Sequence, residues 1–303
     1  MVKYRRAAFY LILLCIFLVS CGPAVPEVSG PAPVFDPDQL LAFSEGGLPA
    51  SEPEPFGSGW FRGGFHSSPA FSPDGLSFWW AGSYATQIVY QSRYEDGGWT
   101  EQEAVSFSDD IRQYRDPFIS PDGLKFFFIS TAPLPGRSGG GKENLWVMDW
   151  ESGGWSEPQP LPEAINTLTL HWTVSAAANY DLYFAANTDD NPDIYKAEFK
   201  DGTYQDPYPL DFPVNTQELE FTPHIAPDQS FLLFARTPDN QSLTHLYISY
   251  AKDGEWTEPV RVENVESCIS PILTPDQRYV IYLKGPAELE WRDTSFIDEL
   301  RPE

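Results

Sequence analysis

The stretch SPAFSPDGLSFWWAG at Ser68–Gly82 decides the fold, because close copies of it recur along the chain. The copies are DPFISPDGLKFFFIS at Asp116–Ser130, TPHIAPDQSFLLFAR at Thr222–Arg236 and SPILTPDQRYVIYLK at Ser270–Lys284. Each copy contains a short apolar run, a Pro-Asp turn and a second run that is rich in aromatic residues. This pattern predicts two antiparallel strands joined by a tight turn.

The spacing of the turns predicts a repeat of about 50 residues. Asp74 and Asp122 are 48 residues apart, and so are Asp228 and Asp276. A gap of 106 residues separates Asp122 from Asp228, and HWTVSAAANYDLYFAAN at 171–187 fills it with a copy that lacks the Pro-Asp turn. Five units in one chain are typical of a repeat architecture.

Each of the first four units also carries a second half. An alternating apolar strand runs into a turn and then reaches an aromatic residue, which is Trp99, Trp155, Tyr204 or Trp256. We interpret each unit as four short antiparallel strands, which must pack on neighbouring units around an axis to bury both faces. The predicted fold is therefore all-β, a β-propeller of four-stranded blades, with five blades favoured and six possible.

The fifth unit lacks an outer strand, because RYVIYLK is followed by ELEWRDTSFIDEL and no glycine turn comes after it before Glu303. The stretch EPEPFGSGWFRGG at 52–64 precedes the first repeat and holds Phe56, Trp60 and Phe61. We predict that an N-terminal strand from this stretch closes the last blade. A sixth blade built from residues 35–64 is the alternative, which their Pro and Gly content disfavours.

The repeat resembles a known family. The Ser-Pro-Asp-Gly turn, the aromatic strand and a Gly-x-Trp-x-Glu outer strand together resemble the WD40-like propeller repeat of TolB-type proteins, over roughly residues 50–300. The resemblance implies a propeller, and it says little about function. The Trp columns and the Asp-Gly turns are interpreted as scaffold.

The N-terminus predicts export and a lipid anchor. Lys3, Arg5 and Arg6 precede an apolar run at 7–19, which is the order of a secretory signal. Leu18-Val19-Ser20-Cys21 resembles the lipobox of bacterial lipoproteins, which implies that Cys21 is lipidated; an ordinary signal peptide is the alternative. We expect a signal peptide at 1–20, a lipidated cysteine and tether at 21–38, and one propeller domain at 39–303. Gly22 after the cysteine favours the outer membrane.

Composition limits the partners. The chain has 44 Asp and Glu against 19 Lys and Arg, a net charge of -25 that repels nucleic-acid phosphates and anionic lipids. We therefore expect no nucleic-acid partner, membrane contact through the lipid anchor alone, and a monomer. Cys268 is expected to be a buried free thiol.

Side chains for binding concentrate where the inner strands begin. In such a propeller these positions share one face with the loops between the second and third strands. We expect a binding site at this mouth, formed by His66, Arg115, Asp116, His171, Trp172 and Glu220. The plainer interpretation is structural, with Arg115 paired to Asp116. His224 is expected to be packed or to face the channel, and His245 to lie on the surface.

No catalytic or metal signature stands out. The chain has no H-E-x-x-H and no phosphate-binding loop, and the Asn187–Asp193 loop lacks the spacing of a calcium-binding EF-hand. We expect no cofactor and no metal. The preferred function is noncatalytic binding of a protein or a glycan at the cell envelope. The alternative is a carbohydrate-active enzyme, a lyase or hydrolase, that uses carboxylates and histidines at the mouth.

Overall fold

The computed structural model describes residues 35–61, 64–82, 87–109, 111–137, 140–188, 191–238, 243–285 and 288–303. The side chains of residues 171, 172, 188 and 266 also lie outside the description. The predicted signal peptide, Cys21 and the tether as far as residue 34 fall outside the described residues. They stay predictions, and so does the domain boundary at residue 38.

The described strands form five antiparallel blades, so the predicted β-propeller with five blades is confirmed. From the axis outward, blade 1 consists of Ala70–Phe71, Ser77–Ala81, Val89–Glu95 and Glu103–Ala104. Blade 2 consists of Tyr114–Ile119, Lys125–Ser130, Asn144–Glu151 and Gln159–Pro160. Blade 3 consists of Leu170–Ala176, Leu182–Thr188, Asn191–Ala197 and Tyr208–Pro209. Blade 4 consists of Leu219–Ile225, Phe231–Thr237, His245–Lys252 and Val260–Glu266.

Blade 5 is closed by the N-terminal part of the chain, as predicted. Its strands are Cys268–Leu273, Tyr279–Lys284, Leu289–Asp293 and the N-terminal strand Glu54–Pro55. Glu54 lies opposite Trp291 in antiparallel register, and the backbone N–H of Phe56 donates to Leu289 at 2.8 Å. The added strand covers an edge that would otherwise be unpaired.

Short elements surround the blades. Two-residue strands extend the outer turns at Gly98–Trp99, Gly154–Trp155, Phe199–Lys200, Thr203–Tyr204 and Glu255–Trp256. Helical turns lie at Pro37–Phe43, which is a 3₁₀ helix, and at Glu163–Asn166 and Phe296–Glu299. Leu40 and Phe43 of the 3₁₀ helix are buried beside Trp80 and Trp291, so this segment belongs to the core between blades 1 and 5.

Aromatic side chains fill the spaces between blades. The rings of Trp79 and Phe126 meet edge to face at 5.5 Å between blades 1 and 2. Tyr183 and Trp256 do the same at 6.5 Å between blades 3 and 4. Such rings bury large apolar areas, which agrees with the scaffold role predicted for the Trp columns. Cys268 is fully buried, as expected, and burial raises the pKa of its thiol.

Candidate functional site

The predicted mouth residues lie where the inner strands begin. His66 lies four residues before the inner strand of blade 1, while the other positions fall in the first residues of the inner strands of blades 2, 3 and 4. The backbone of His171 pairs with Ala185 in the second strand of blade 3. The side chains of His171 and Trp172 are outside the described part of the structure, so their predicted roles stay predictions.

A His-Asp pair links blades 1 and 2 at the mouth. Nδ1 of His66 lies 3.1 Å from Oδ1 of Asp116, whose residue is 2% exposed. Burial opposes ionisation of this carboxyl. Nevertheless, the charge and hydrogen bond of His66, the charge of Arg115 and the backbone N–H of Thr173 together hold its pKa below the usual value. Asp116 is therefore a buried carboxylate that ties three consecutive blades together.

Arg115 does not pair with its neighbour, so this part of the sequence interpretation is wrong. Its guanidinium donates to Oε1 of Glu143 at 2.5 Å and also to the side chain of Gln113. Asp116 pairs instead with His66 of the preceding blade. Glu143 lies in the loop between the second and third strands of blade 2, so this loop does share the mouth, as expected.

Glu220 belongs to a buried ion pair. Nε of Arg236 donates to its Oε1 at 2.7 Å, and the hydroxyl of Thr216 donates to the same oxygen at 2.7 Å. Arg236 also donates to the carbonyls of Pro213 and Val214. Glu220 is 0% exposed, and burial raises its pKa although Arg236 opposes this. The carboxylate thus braces the segment that leads into blade 4.

Sequence reasoning missed a bulge that recurs in the inner strands. Register shifts lie between Arg115 and Phe118, His171 and Val174, Phe221 and His224, and Ile269 and Ile272. The bulged residues Asp116, Thr173, Thr222 and Ser270 have φ between 48° and 56°, a strained value for a side-chain-bearing residue. In three copies a proline follows, which has no N–H for the ladder. This polar-Pro pair inside an apolar strand is the signal that could have revealed the bulge.

The other end of the same strands holds an apolar pocket of about 260 Å³, which we call the turn-end pocket. It is lined by Phe71, Pro73, Phe118, Ile119, Ser120, Pro121, Ala176, His224, Ile225, Pro227, Ile272, Leu273, Thr274, Pro275 and Gln277. These residues come from all five described blades. The Pro-Asp turns of the repeat therefore surround a cavity, in addition to joining strands.

His224 and Phe118 meet across the propeller axis. Their ring centroids are 6.1 Å apart, although blades 2 and 4 are not neighbours. Ile272 of blade 5 packs against apolar clusters that belong to blades 1, 2 and 3. All three side chains line the turn-end pocket.

His224 was expected to be packed or to face the channel, and it does both. It is 7% exposed, and burial lowers its pKa to about 4. His245, expected on the surface, is 2% exposed, so that prediction is wrong. The outer strand of blade 4 continues to Glu266 opposite His245 and covers it.

None of the helices within the described ranges is long and apolar enough to cross a membrane. Across the same ranges, no group of three or more His, Cys, Asp or Glu residues is arranged to hold a metal ion.

Comparison with solved structures shows the fold. Putative TolB from Agrobacterium tumefaciens is 18% identical, with a TM-score of 0.50 over 71% of this chain and 68% of that chain. TolB from Acinetobacter baumannii is 15% identical, with a TM-score of 0.49 over 74% of this chain and 53% of that chain. The gluconolactonase XC5397 from Xanthomonas campestris is 12% identical, with a TM-score of 0.46 over 89% of this chain and 97% of that chain.

The chain thus spans about half the length of the A. baumannii TolB chain. No family model matches it, and no curated protein matches it. The likeness in structure rests on the propeller, whose repeat also carries the sequence resemblance. The protein is a five-bladed β-propeller whose solved structural neighbours include TolB-type propeller proteins.

Proposed function

We propose that this protein is a noncatalytic interaction module that binds a partner protein at the cell envelope through its mouth. A TolB-like propeller supports an interaction module in general terms. The predicted secretory signal and lipobox support export and anchoring through Cys21, with the outer membrane as the favoured site. A glycan ligand is the other partner expected from the sequence.

The observation that carries the proposal is a groove of about 500 Å³ on the mouth side of blade 2. It is lined by Ile111, Arg112, Gln113, Thr131, Pro133, Gly140 and Gly141. Ile111 is 84% exposed, which leaves an apolar side chain at the edge of the groove. Arginine is enriched at protein interfaces, and Arg112 with the exposed Ile111 beside it suits the docking of a protein.

The mouth is held in shape by its own charged groups. Gln113, a groove residue, accepts from Arg115, which is fixed by Glu143. The His66–Asp116 pair holds blade 1 against blade 2 directly below. A preorganised surface loses little entropy on binding, which favours docking through this face.

Site-specific photo-crosslinking in the producing cell tests the proposal. A photoactivatable residue at Ile111 should give discrete protein-sized adducts. The matched control is Leu124, which is 46% exposed on the same blade but lies at the Pro-Asp turn. Equal adducts at both positions, or none at Ile111, would contradict docking at the mouth. Adducts at Ile111 that are removed by a glycosidase and not by a protease would favour the glycan partner.

The lipid anchor is tested separately. Replacing Cys21 with Ser should release the protein from membrane fractions, because the predicted lipid is the one membrane attachment we propose. Radiolabelled palmitate should enter the wild-type protein and not the variant. Full membrane partitioning of the Cys21→Ser protein would show that another feature anchors it.

A further inference from the structure

The turn-end pocket lies apart from the proposed docking face and has a distinct chemistry. Its walls are the last residues of the inner strands, and its rim includes four prolines from the Pro-Asp turns, namely Pro73, Pro121, Pro227 and Pro275. Proline and strand backbone are rigid, so the cavity is preformed. Five blades contribute to one cavity at the axis, where propellers commonly bind ligands.

The inner strands of the five blades carry different residues at the position that His224 occupies in blade 4. Two positions after the bulge, the inner strands of blades 2 to 5 carry Phe118, Ser175, His224 and Ile272, and the aligned repeat position in blade 1 is Ala70. Histidine thus occupies a column that is otherwise small or apolar apart from Ser175. The hydroxyl of Ser175 donates to the carbonyl of Pro223 and accepts from the N–H of Ile225. His224 differs, because its imidazole has no hydrogen-bond partner among the described residues.

A buried imidazole without a partner calls for an explanation. Burying a polar group without a hydrogen bond costs on the order of 1–3 kcal/mol, and buried polar groups in folded proteins are usually paired. Two hydroxyls in the pocket lining do not serve His224. Ser120 donates to Asp122 at 2.6 Å and Thr274 donates to Asp276 at 2.6 Å, each within its own turn. A hydrogen-bond partner for His224 can therefore be supplied from the cavity, by solvent or by a bound ligand.

We propose that the turn-end pocket binds a compact, neutral aromatic molecule that carries one hydrogen-bonding group, such as a hydroxyl, directed at the imidazole of His224. Phe71 and Phe118 and the prolines offer flat apolar surfaces to an aromatic ring. An engineered cavity of about 150 Å³ holds benzene, so the larger volume here suits two fused rings.

Other ligand classes fit the pocket less well. A sugar would leave most of its hydroxyls unpaired against apolar walls. A charged ligand would lose its hydration and gain no counter-charge, because the imidazole is neutral at pH 7 with its pKa lowered to about 4. Water that enters the open pocket can bond to His224, and a ligand hydroxyl replaces that bond while its ring covers the apolar walls.

The test uses the full chain at pH 7 and four matched probes, with binding followed by saturation-transfer NMR and calorimetry. The probes are 2-naphthol, naphthalene, 2-naphthoate and 2-naphthylmethylamine, which share one ring system and differ in the polar group. We expect 2-naphthol to bind more tightly than naphthalene by about fivefold to tenfold, the value of one hydrogen bond. We expect no binding of the two charged probes.

Two variants complete the test. His224→Phe keeps an aromatic ring against Phe118 and removes the hydrogen bond, so 2-naphthol should fall to the affinity of naphthalene. His224→Gln keeps a hydrogen-bonding group and should retain part of the preference for 2-naphthol. Thermal unfolding checks that each variant folds.

Three outcomes would overturn the proposal. One is that wild-type protein binds neither neutral probe. Another is equal binding of 2-naphthol and naphthalene by the wild-type protein, which requires no variant. The third is that His224→Phe folds and binds 2-naphthol as tightly as the wild type. Because all three arms use the turn-end pocket, their result does not depend on whether the mouth binds a partner protein.

Discussion

The buried polar groups at the two ends of the inner strands differ in their hydrogen-bond and ion-pair partners. At the mouth, His66, Asp116, Glu220 and Arg236 are buried or nearly so, and each has an oppositely charged or potentially charged partner. At the turn end, His224 is equally buried and has no partner among the described residues. The mouth thus pairs its charged groups across blades, although Oδ2 of Asp116 and Nε of Arg115 are buried there without a hydrogen-bond partner in the described part of the chain, whereas the turn end holds a neutral imidazole that lines a cavity.

This difference predicts which substitutions should lower the stability of the fold and which should change ligand binding. A buried ion pair cannot lose one member cheaply, because the other charge stays behind without a partner. A buried neutral imidazole in an apolar cavity contributes little to stability at neutral pH. Variants at the mouth pairs should therefore disturb the fold, and variants of His224 should mainly disturb ligand binding and the response to acid.

The largest effect is expected from Glu220→Ala. The substitution leaves the buried Arg236 guanidinium with the more distant carboxylate of Glu218 at 3.6 Å, which should lower the free energy of unfolding by about 3 kcal/mol, the lower end of the range for a broken buried pair. Urea denaturation measures the loss. The matched control is the double variant Glu220→Leu with Arg236→Met, which removes both charges and should be more stable than the single variant. A single variant with a loss below about 1 kcal/mol would show that the pair is not structural.

The second-largest expected effect is a loss of folding stability at acid pH. An isolated histidine titrates near 6.5, whereas His224 in the folded chain titrates at about 4, because burial disfavours its charged form. Between these values the unfolded chain takes up a proton that the folded chain does not. Stability is therefore fully present above pH 6.5 and falls as the pH falls towards 4, by about 3 kcal/mol in total.

Comparing wild type with His224→Phe isolates this contribution. Free energies of unfolding at pH 7.5 and pH 5 should show an extra loss of about 2 kcal/mol in the wild type. Carboxylates titrate in both proteins and cancel in the difference. None of the other described residues that line the pocket titrates, so no second group accounts for such a loss. An identical pH dependence of the two proteins would place His224 in contact with solvent.

The repeat shows how much of the fold can be read from the sequence. Copies of the Pro-Asp turn and its two apolar runs gave the number of blades, and the missing outer strand after Tyr282 gave the closure by Glu54–Pro55. These features are local patterns with fixed spacing. The ion-pair partner of a side chain depends on the tertiary structure. The sequence therefore favours Asp116 as the partner of Arg115, whereas in the structure the partner is Glu143, 28 residues away.

The candidate sites were harder to predict. The sequence placed the mouth residues at one end of the strands but could not show that Asp116 and Glu220 are buried, since burial depends on how neighbouring blades meet. The turn-end pocket was not anticipated at all, because each Pro-Asp turn was read as a connection. Only the ring closure of the propeller brings Pro73 and Pro227 around a common cavity.

The smallest effect on stability is expected from Arg115→Ala. Its side chain is 12% exposed and its partner Glu143 is 26% exposed, so we expect a loss of about 1 kcal/mol or less. The effect on docking should be larger, because Arg115 holds Gln113 at the edge of the mouth groove. Adducts formed from the photoactivatable residue at Ile111 should decrease severalfold in this variant.

Lys125→Ala is the matched control for Arg115→Ala. Lys125 also forms a 2.6 Å pair on blade 2, with Asp149, but it lies beside the Pro-Asp turn at the opposite end of the blade. The two variants remove one cation each, so they change the net charge equally and separate position from charge. If docking depends on the mouth, only Arg115→Ala should reduce the adducts. A comparable decrease in Lys125→Ala would mean that a long-range loss of positive charge, and not the local geometry of the mouth, governs the interaction.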